Sequence, residues 1–413
     1  EKIFPKLNNV QAFVIMTDVK SMPVTNLPNV FCYESLLDEC NEEFHWPELD
    51  ENKACSICYT SGTTGNPKGV VFSHRSTVLH AWGTALPDTL CMSASTIALP
   101  VVPMFHANTW GLIYAAPMTG SKLVLPGPHL DGANIYKLIE SEKVTLLAGV
   151  PTVWLMLLNY LDDKNKKLES VENIVIGGSA APRSMIESFS KKFDVQVLHA
   201  WGMTELSPLG TVNRLLPKHK MLDEKSKFDI QSKQGRSIYA VEMKITDDDG
   251  IALPHDGKTF GNLKVRGPWV ASSYYKEKIN ILDQDGWFDT GDVATIDIDG
   301  FMHITDRSKD VIKSGGEWIS SIELENIAVG NTNVLEACVI GVRHPKWDER
   351  PLLIIVPKEK DKCNEKEILD FFVGKVAKWW IPDRVVFVES LPHTATGKLL
   401  KSLLRDEYSE FAL

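Results

Sequence analysis

From about residue 52 to residue 205, short β-branched and apolar runs alternate with helix-length patterns, and glycines fall at the turns between them. IleCysTyr at 57–59 leads through a glycine-rich stretch to a helix predicted over 74–84, with Ser73 placed to cap it. ValThrLeuLeuAla at 144–148 is followed by Pro151 at a helix start. AsnIleValIle at 173–176 is followed by Gly177, Gly178 and a helix opening at Pro182, and ValGlnValLeuHis at 195–199 reads as a further strand. Strand, turn and helix in repetition imply a parallel sheet covered on both faces. Such a sheet receives ligands at the carboxyl ends of its strands, where these glycine-rich turns lie.

After about residue 235 the pattern becomes β-rich, with GluMetLysIleThr and LeuLysValArgGlyPro reading as meander strands. Near Asp306 it changes again. A charged stretch suits a linker, and a helix is predicted over 321–329 behind a capping box of Ser320 and Glu323. The expected organisation is a large α/β domain over 1–306, with a β-rich subdomain at about 235–306. A hinge at 307–310 and a small, mobile α+β domain over 311–413 complete it.

Composition narrows the function. The chain has 413 residues, 44% hydrophobic and 24% charged, enough for more than one core. A formal net charge of -10 offers no general attraction for nucleic acid or anionic lipid, so an anion must be held by a local site. Seven cysteines, an odd number among apolar neighbours, read as reduced thiols and point to the cytoplasm. Cys55 and Cys58 form a CxxC, but in a run that alternates like a strand and without the second pair a zinc site needs. No run of 18 uncharged apolar residues suggests a transmembrane anchor. The chain opens on Glu1, just ahead of a strand-like PheValIleMet, and reads as a fragment lacking its natural start.

The strongest local signal is TyrThrSerGlyThrThrGlyAsnProLysGly at 59–69. Glycines, hydroxyls and one lysine in a short loop give many donors and a positive charge, as a polyphosphate requires. It is not a Walker A loop, because Lys68 is followed by Gly69 rather than Ser or Thr.

That segment resembles the phosphate loop of the adenylate-forming superfamily, which contains AMP-forming acyl-CoA synthetases, adenylation domains and luciferases. Further matches follow in the superfamily's order: GlyGlySerAlaAla at 177–181, TrpGlyMetThrGlu at 201–205, TrpPheAspThrGlyAsp at 287–292, AspArgSerLysAsp at 306–310 and ThrGlyLys at 396–398. The resemblance implies an acetyl-CoA synthetase-like fold and a ligase that uses ATP, Mg2+ and coenzyme A. A carboxylate and ATP would give an acyl-adenylate and pyrophosphate, and CoA would then take the acyl group and release AMP.

The residues it assigns are these. Thr60, Ser61, Gly62, Thr63, Thr64, Gly65 and Lys68 would form the phosphate loop. Ser179, Ala180, His199, Ala200 and Trp201 would enclose the adenine, Trp201 standing where the superfamily more often has Tyr, so that stacking survives and a hydroxyl is lost. Thr204 would bond the α-phosphate, Glu205 and Thr60 would supply oxygens to Mg2+, and Asp292 would take the ribose hydroxyls with help from Arg307. Lys398 would bridge carboxylate and phosphate in the first half-reaction. For the second, Gly315 and Gly316 would let the pantetheine arm of CoA pass, with Lys309 as hinge and Lys313 and Trp318 contacting nucleotide.

ProMetPheHisAlaAsnThrTrpGly at 103–111 resembles the segment of fatty-acyl-CoA synthetases that gates an acyl tunnel. Trp110 would be the gate, and His106 and Ala107 would sit beside the reacting carboxylate. TrpGlyMetThrGluLeuSerPro and LysTrpAspGluArgPro fit the branch of medium- and long-chain fatty-acyl-CoA and 3-methylthiopropionyl-CoA ligases. The expected substrate is a neutral linear acid of fatty acid metabolism, and in this branch N-terminal segments can contribute to a homodimer of the full-length protein. Two alternatives stand beside it: an adenylation domain that loads a carrier-protein thiol, and a non-catalytic nucleotide-binding relic.

Overall fold

Ser73 caps its helix as its position suggests: Ser73 Oγ accepts from the Ser76 N–H and Ser76 Oγ from the Ser73 N–H, both at 3.0 Å, starting the helix His74–Ala85. In the computed structural model, residues 1–60, 67–315, 317–359, 363–394 and 399–411 are described, Glu317 by its backbone only. The chain falls into two compact units, 1–50 and 51–413. The first contains the parallel strands Phe13–Ile15 and Val30–Cys32 and the short helix Tyr33–Asp38.

In the second unit, a seven-stranded sheet carries five parallel strands in the order Gln196–Gly202, Asn173–Ile176, Leu146–Gly149, Ile97–Val101 and Lys122–Leu123. Helices Gly132–Glu142, Pro151–Asp163 and Arg183–Phe193 return the chain between strands. Trp154, Leu157, Ile135 and Phe189 fill one face of the sheet, and Leu112, Ala115, Leu198 and Trp269 fill the other. The strands are buried on both sides, which is why they read as continuous apolar runs.

The sheet continues beyond the stretch read as parallel, since Leu209–Val212 runs antiparallel to Gln196–Gly202 and Arg236–Ser237 antiparallel to Leu209–Val212. Only the turn Thr204–Leu206 and its flanks join the first pair, too short for the crossover a parallel partner needs. One expectation needs correction: the strand predicted at 57–59 lies outside this sheet. It is Ala54–Tyr59, and it pairs antiparallel with Gly69–Ser73 in a two-stranded ribbon.

The β-rich region is an antiparallel sheet of Glu242–Thr246, Phe260–Arg266, Phe288–Ile296 and Met302–Arg307, with Ile245, Leu263, Val265 and Met302 in its core. Beyond it, Val334–His344 and Asp348–Pro357 form a long hairpin flanked by Ile312–Ser314, Glu317–Ile319 and Arg384–Phe387. This last region has two cores of its own, around Val339, Leu353 and Phe372 and around Cys338, Ile354 and Leu404. The predicted helix is Ser321–Val329, and Ser320 Oγ accepts from the Glu323 N–H at 3.1 Å. Among the described residues no helix is long and apolar enough to cross a membrane.

Candidate active site

Thr60 and Lys68 close the base of the glycine-rich stretch. The Thr60 N–H donates to the Lys68 carbonyl at 2.9 Å, and Thr60 Oγ1 accepts from the Lys68 N–H at 3.0 Å. Ser61, Gly62, Thr63, Thr64 and Gly65 lie outside the described residues. The Gly69 carbonyl accepts from the Tyr275 N–H at 2.7 Å, and the adjacent Tyr274 donates its hydroxyl to Glu205 Oε1 at 2.8 Å. Lys68 Nζ stands 4.5 Å over the Tyr274 ring. One tyrosine therefore joins the loop base to the buried Glu205 carboxylate. Burial, then the charge of Glu205, push the Tyr274 phenol well above its usual range, so it remains a donor. The sequence reading missed Tyr274, which stands in no motif and meets Glu205 only through the fold.

Thr204 and Glu205 are both buried in the turn Thr204–Leu206. Among the described residues, no group of three or more His, Cys, Asp and Glu side chains could hold a metal. The oxygens of Glu205 and Thr60 are instead hard donors in the small number that suits Mg2+, an ion that keeps most of its coordination for water and phosphate.

Trp201, the sixth residue of the strand Gln196–Gly202, donates its indole N–H to Asp292 Oδ2 at 2.9 Å, and Arg307 Nε faces Asp292 Oδ1 at 3.6 Å. Asp292 and Arg307 are register partners on adjacent strands. The indole lies close against Gly210, where a Cβ would come within 2.5 Å of the ring. The hydroxyl expected to be lost at this position is thus replaced by an N–H that orients Asp292. The backbone after the strand Asn173–Ile176 is braced by His199, whose Nε2 accepts from the Ala181 N–H at 3.1 Å while Nδ1–H donates to the Ser232 carbonyl at 3.0 Å. Burial lowers the His199 pKa to about 4. Its imidazole is neutral, with both nitrogens engaged by protein; Ala200 is buried beside it, Ala180 is half-buried and Ser179 is exposed.

Residues Ala107 to Gly111 take positive φ in succession, 43°, 53°, 55°, 57° and 75°. A left-handed turn costs about 1–2 kcal/mol for each residue other than glycine, so the surroundings must hold it. Asn108 Nδ2 donates to Ser56 Oγ at 2.9 Å, and Asn108 Oδ1 accepts from the Cys58 thiol at 3.6 Å. At Gly111 a Cβ would lie 2.6 Å from the buried His80 ring. The turn sets Trp110 against Gly177, and together with His106, Gly178, Ala200 and Trp201 it borders an apolar space of about 40 Å³. That is room for a few waters, not for an acyl tail.

Arg307, Ser179 and Ala180 also line a larger cleft of about 580 Å³, closed on its other side by Glu325, Lys401 and Arg405. Trp318 packs on Phe260 with ring centroids 5.4 Å apart, and Lys309 and Lys313 are exposed. Gly315 has φ 61°, and a Cβ there would lie 2.7 Å from Trp347. Gly316 and Lys398 lie outside the described residues. The structure therefore brings together Thr60, Lys68 and Glu205, then Trp201, Asp292 and Arg307, then His106 and Trp110.

The chain is similar to known proteins over nearly its whole length. Residues 8–275 match the family described as AMP-binding enzyme, and residues 323–398 match the AMP-binding enzyme C-terminal domain. A medium-chain-fatty-acid–CoA ligase of Ectopseudomonas oleovorans is 52% identical over 412 residues, 100% of this chain and 76% of its own. A 3-methylmercaptopropionyl-CoA ligase of Ruegeria lacuscaerulensis is 53% identical over 405 residues, 98% of this chain and 75% of its own. Among solved structures, O-succinylbenzoate coenzyme A synthetase from Bacillus subtilis, in complex with ATP and magnesium ion, superposes with a TM-score of 0.78 at 26% identity, covering 97% of this chain and 81% of that one. With the ordered motifs, the fold and the family match in agreement, the chain belongs to the AMP-binding enzyme family.

Proposed function

We propose that the chain is an ATP-dependent, AMP-forming acid–CoA ligase acting on a neutral linear carboxylic acid, either a medium- or long-chain fatty acid or a short acid such as 3-methylthiopropionate. The reading rests above all on one arrangement: the Trp201–Asp292–Arg307 group beside a buried Glu205 that Tyr274 links to the Lys68 loop base. Its parts suit the sugar and base at one end of ATP and the triphosphate at the other. In the first step a carboxylate oxygen attacks the α-phosphorus, a P–O bond forms, and the bond to pyrophosphate breaks. In the second the CoA sulfur attacks the acyl carbonyl, a C–S bond forms, the thiol loses its proton, and AMP leaves.

Asp292 accepts from the ribose hydroxyls while Trp201 and Arg307 hold it in place. Thr204 takes the α-phosphate, Lys68 and the loop take the β- and γ-phosphates, and Lys398 brings a cation to the in-line transition state, where two anions meet. Glu205 and Thr60 would hold Mg2+, which when bound neutralises phosphate charge. Trp110 closes the acyl path, and the small apolar space around it supports a gate that must move before a tail enters. The large lobe ends near 306, residues 307–310 form the hinge, and the cores confined to the last hundred residues support a separate small lobe. Seven free cysteines fit a cytoplasmic setting, and a homodimer is compatible with this reading.

The test is to incubate the protein with ATP, Mg2+, CoA and a panel of acids, and to follow AMP and acyl-CoA by mass spectrometry. The expected result is acid-dependent AMP and thioester in equal amounts, with neutral linear acids preferred. ADP as product, or thioester found only on an added carrier protein, would overturn it.

A further inference from the structure

Trp318 stands where the resemblance implies a nucleotide contact, yet its indole is spent on protein. It packs on Phe260 with ring centroids 5.4 Å apart and planes tilted by 33°. Phe260 opens the strand Phe260–Arg266 and pairs with Thr295, three residues along the neighbouring strand from Asp292, roughly 10 Å at the rise of a β-strand. An indole covered by Phe260 cannot offer the covered face to a nucleotide. Two and three residues further on, Ser320 Oγ donates to the Thr305 carbonyl, and the Ser321 N–H donates to Asp306 Oδ2 at 2.6 Å.

Phe260 precedes the proposed hinge at 307–310 and Trp318 follows it. Neither ring helps to fill the core around Ile245 and Leu263 on one side or the core around Val339 and Phe372 on the other, and Phe260 is 46% exposed. Such a pair can separate without opening either core, and while it lasts it adds attraction beyond the area it buries. It therefore favours one arrangement of the two sides and is lost in another. In the arrangement seen, Ser179, Ala180 and Arg307 face Leu399, Lys401 and Arg405 across the cleft of about 580 Å³. Lys313, Gly315 and Trp318, which the resemblance gives to the thioester step, line neither that cleft nor the space beside Trp110. The Gly315 N–H donates instead to the Trp347 carbonyl at 2.8 Å.

We infer that Phe260 is a positioning residue: its ring docks Trp318 and so holds the arrangement that serves adenylate formation, and this dock opens before the 313–318 stretch can serve transfer to CoA. The inference rests on the ligase reading and its hinge. With docked and undocked forms in equilibrium, the adenylation rate follows the docked fraction and the transfer rate the undocked fraction. Their ratio follows the equilibrium constant itself, so weakening the ring pair lowers the ratio whichever form is the more populated.

The experiment measures two initial rates on the same protein: acid-dependent exchange of labelled pyrophosphate into ATP, and formation of acyl-CoA from a supplied synthetic acyl-adenylate. Absence of exchange with every acid in the unaltered protein would strike the ligase reading itself, before any variant is made. Phe260→Ala removes the ring and leaves Trp318 in place for its nucleotide contact. In this variant the ratio of exchange to transfer should fall roughly two- to tenfold, as the loss of one aromatic pair allows. Phe260→Tyr keeps the ring and should keep the ratio. A ratio that is unchanged or raised in Phe260→Ala would overturn the inference; an equal fall in both rates belongs here, since a merely structural residue lowers both alike. A fall in Phe260→Tyr as large as that in Phe260→Ala would overturn it too. If Phe260→Ala does not fold, Phe260→Leu, which keeps apolar bulk without the ring, decides by the same ratio.

Discussion

Trp201 shows how one substitution within a motif can keep a function by another route. Tyr and Trp both present a flat ring, but here the indole N–H is spent on Asp292 at 2.9 Å. Trp201→Phe keeps the ring and removes the donor. The net worth of such a bond, about 0.5–1.5 kcal/mol, corresponds to a rise of roughly two- to tenfold in KM for ATP, with kcat nearly unchanged. Steady-state kinetics at saturating acid and CoA would check this, and an unaltered KM would contradict it. Tyr274→Phe should act differently. It takes a hydroxyl from Glu205 Oε1 and should raise the Mg2+ concentration at half-maximal pyrophosphate exchange several-fold, with little change in KM for the acid. The motif around Glu205 is legible in the sequence, whereas Tyr274 lies 69 residues further on and acts only because the fold brings it back.

At the scale of elements, the helices were legible because local chemistry decides them, as the Ser73 cap, Pro151 and the Ser320 cap illustrate. Strand partnership was less so. Period and length identify a strand such as Ala54–Tyr59 but not its neighbour, and the antiparallel pairings follow from links whose brevity matters only in three dimensions. The left-handed turn Ala107–Gly111 was invisible, since four of its five residues are not glycine and the conformation is imposed by Asn108, Ser56 and His80. Gly111→Ala should be destabilising by roughly 2 kcal/mol or more, from an unfavourable φ and an overpacked contact with His80, and should show in urea denaturation. Buried histidines add a pH dependence. His80 is lowered to about 3 and His199 to about 4, in both cases chiefly by burial. The unfolded chain protonates near 6.5, so between that value and 4 it binds more protons than the folded one. Stability should therefore fall as pH drops through this window. His199→Gln should flatten the decline; an equally steep acid limb would show that His199 does not contribute.

Over the whole molecule, the core around Leu147 and Trp154 and the core around Val339 and Phe372 are separate, and the groups assigned to chemistry fall on both sides of the proposed hinge: Thr60, Glu205 and Asp292 before it, Lys398 after it. That division makes the central claim testable in a single comparison. Lys398→Ala is assayed for acid-dependent pyrophosphate exchange and, separately, for transfer of a supplied acyl-adenylate to CoA. The account predicts that exchange is lost by a factor of 100 or more while transfer is retained within a few-fold, since removing one charge-stabilising group costs a rate factor of about 100–1,000 in the step it serves. Exchange that survives, or both steps lost together, would contradict a small lobe that supplies its lysine to the first reaction alone.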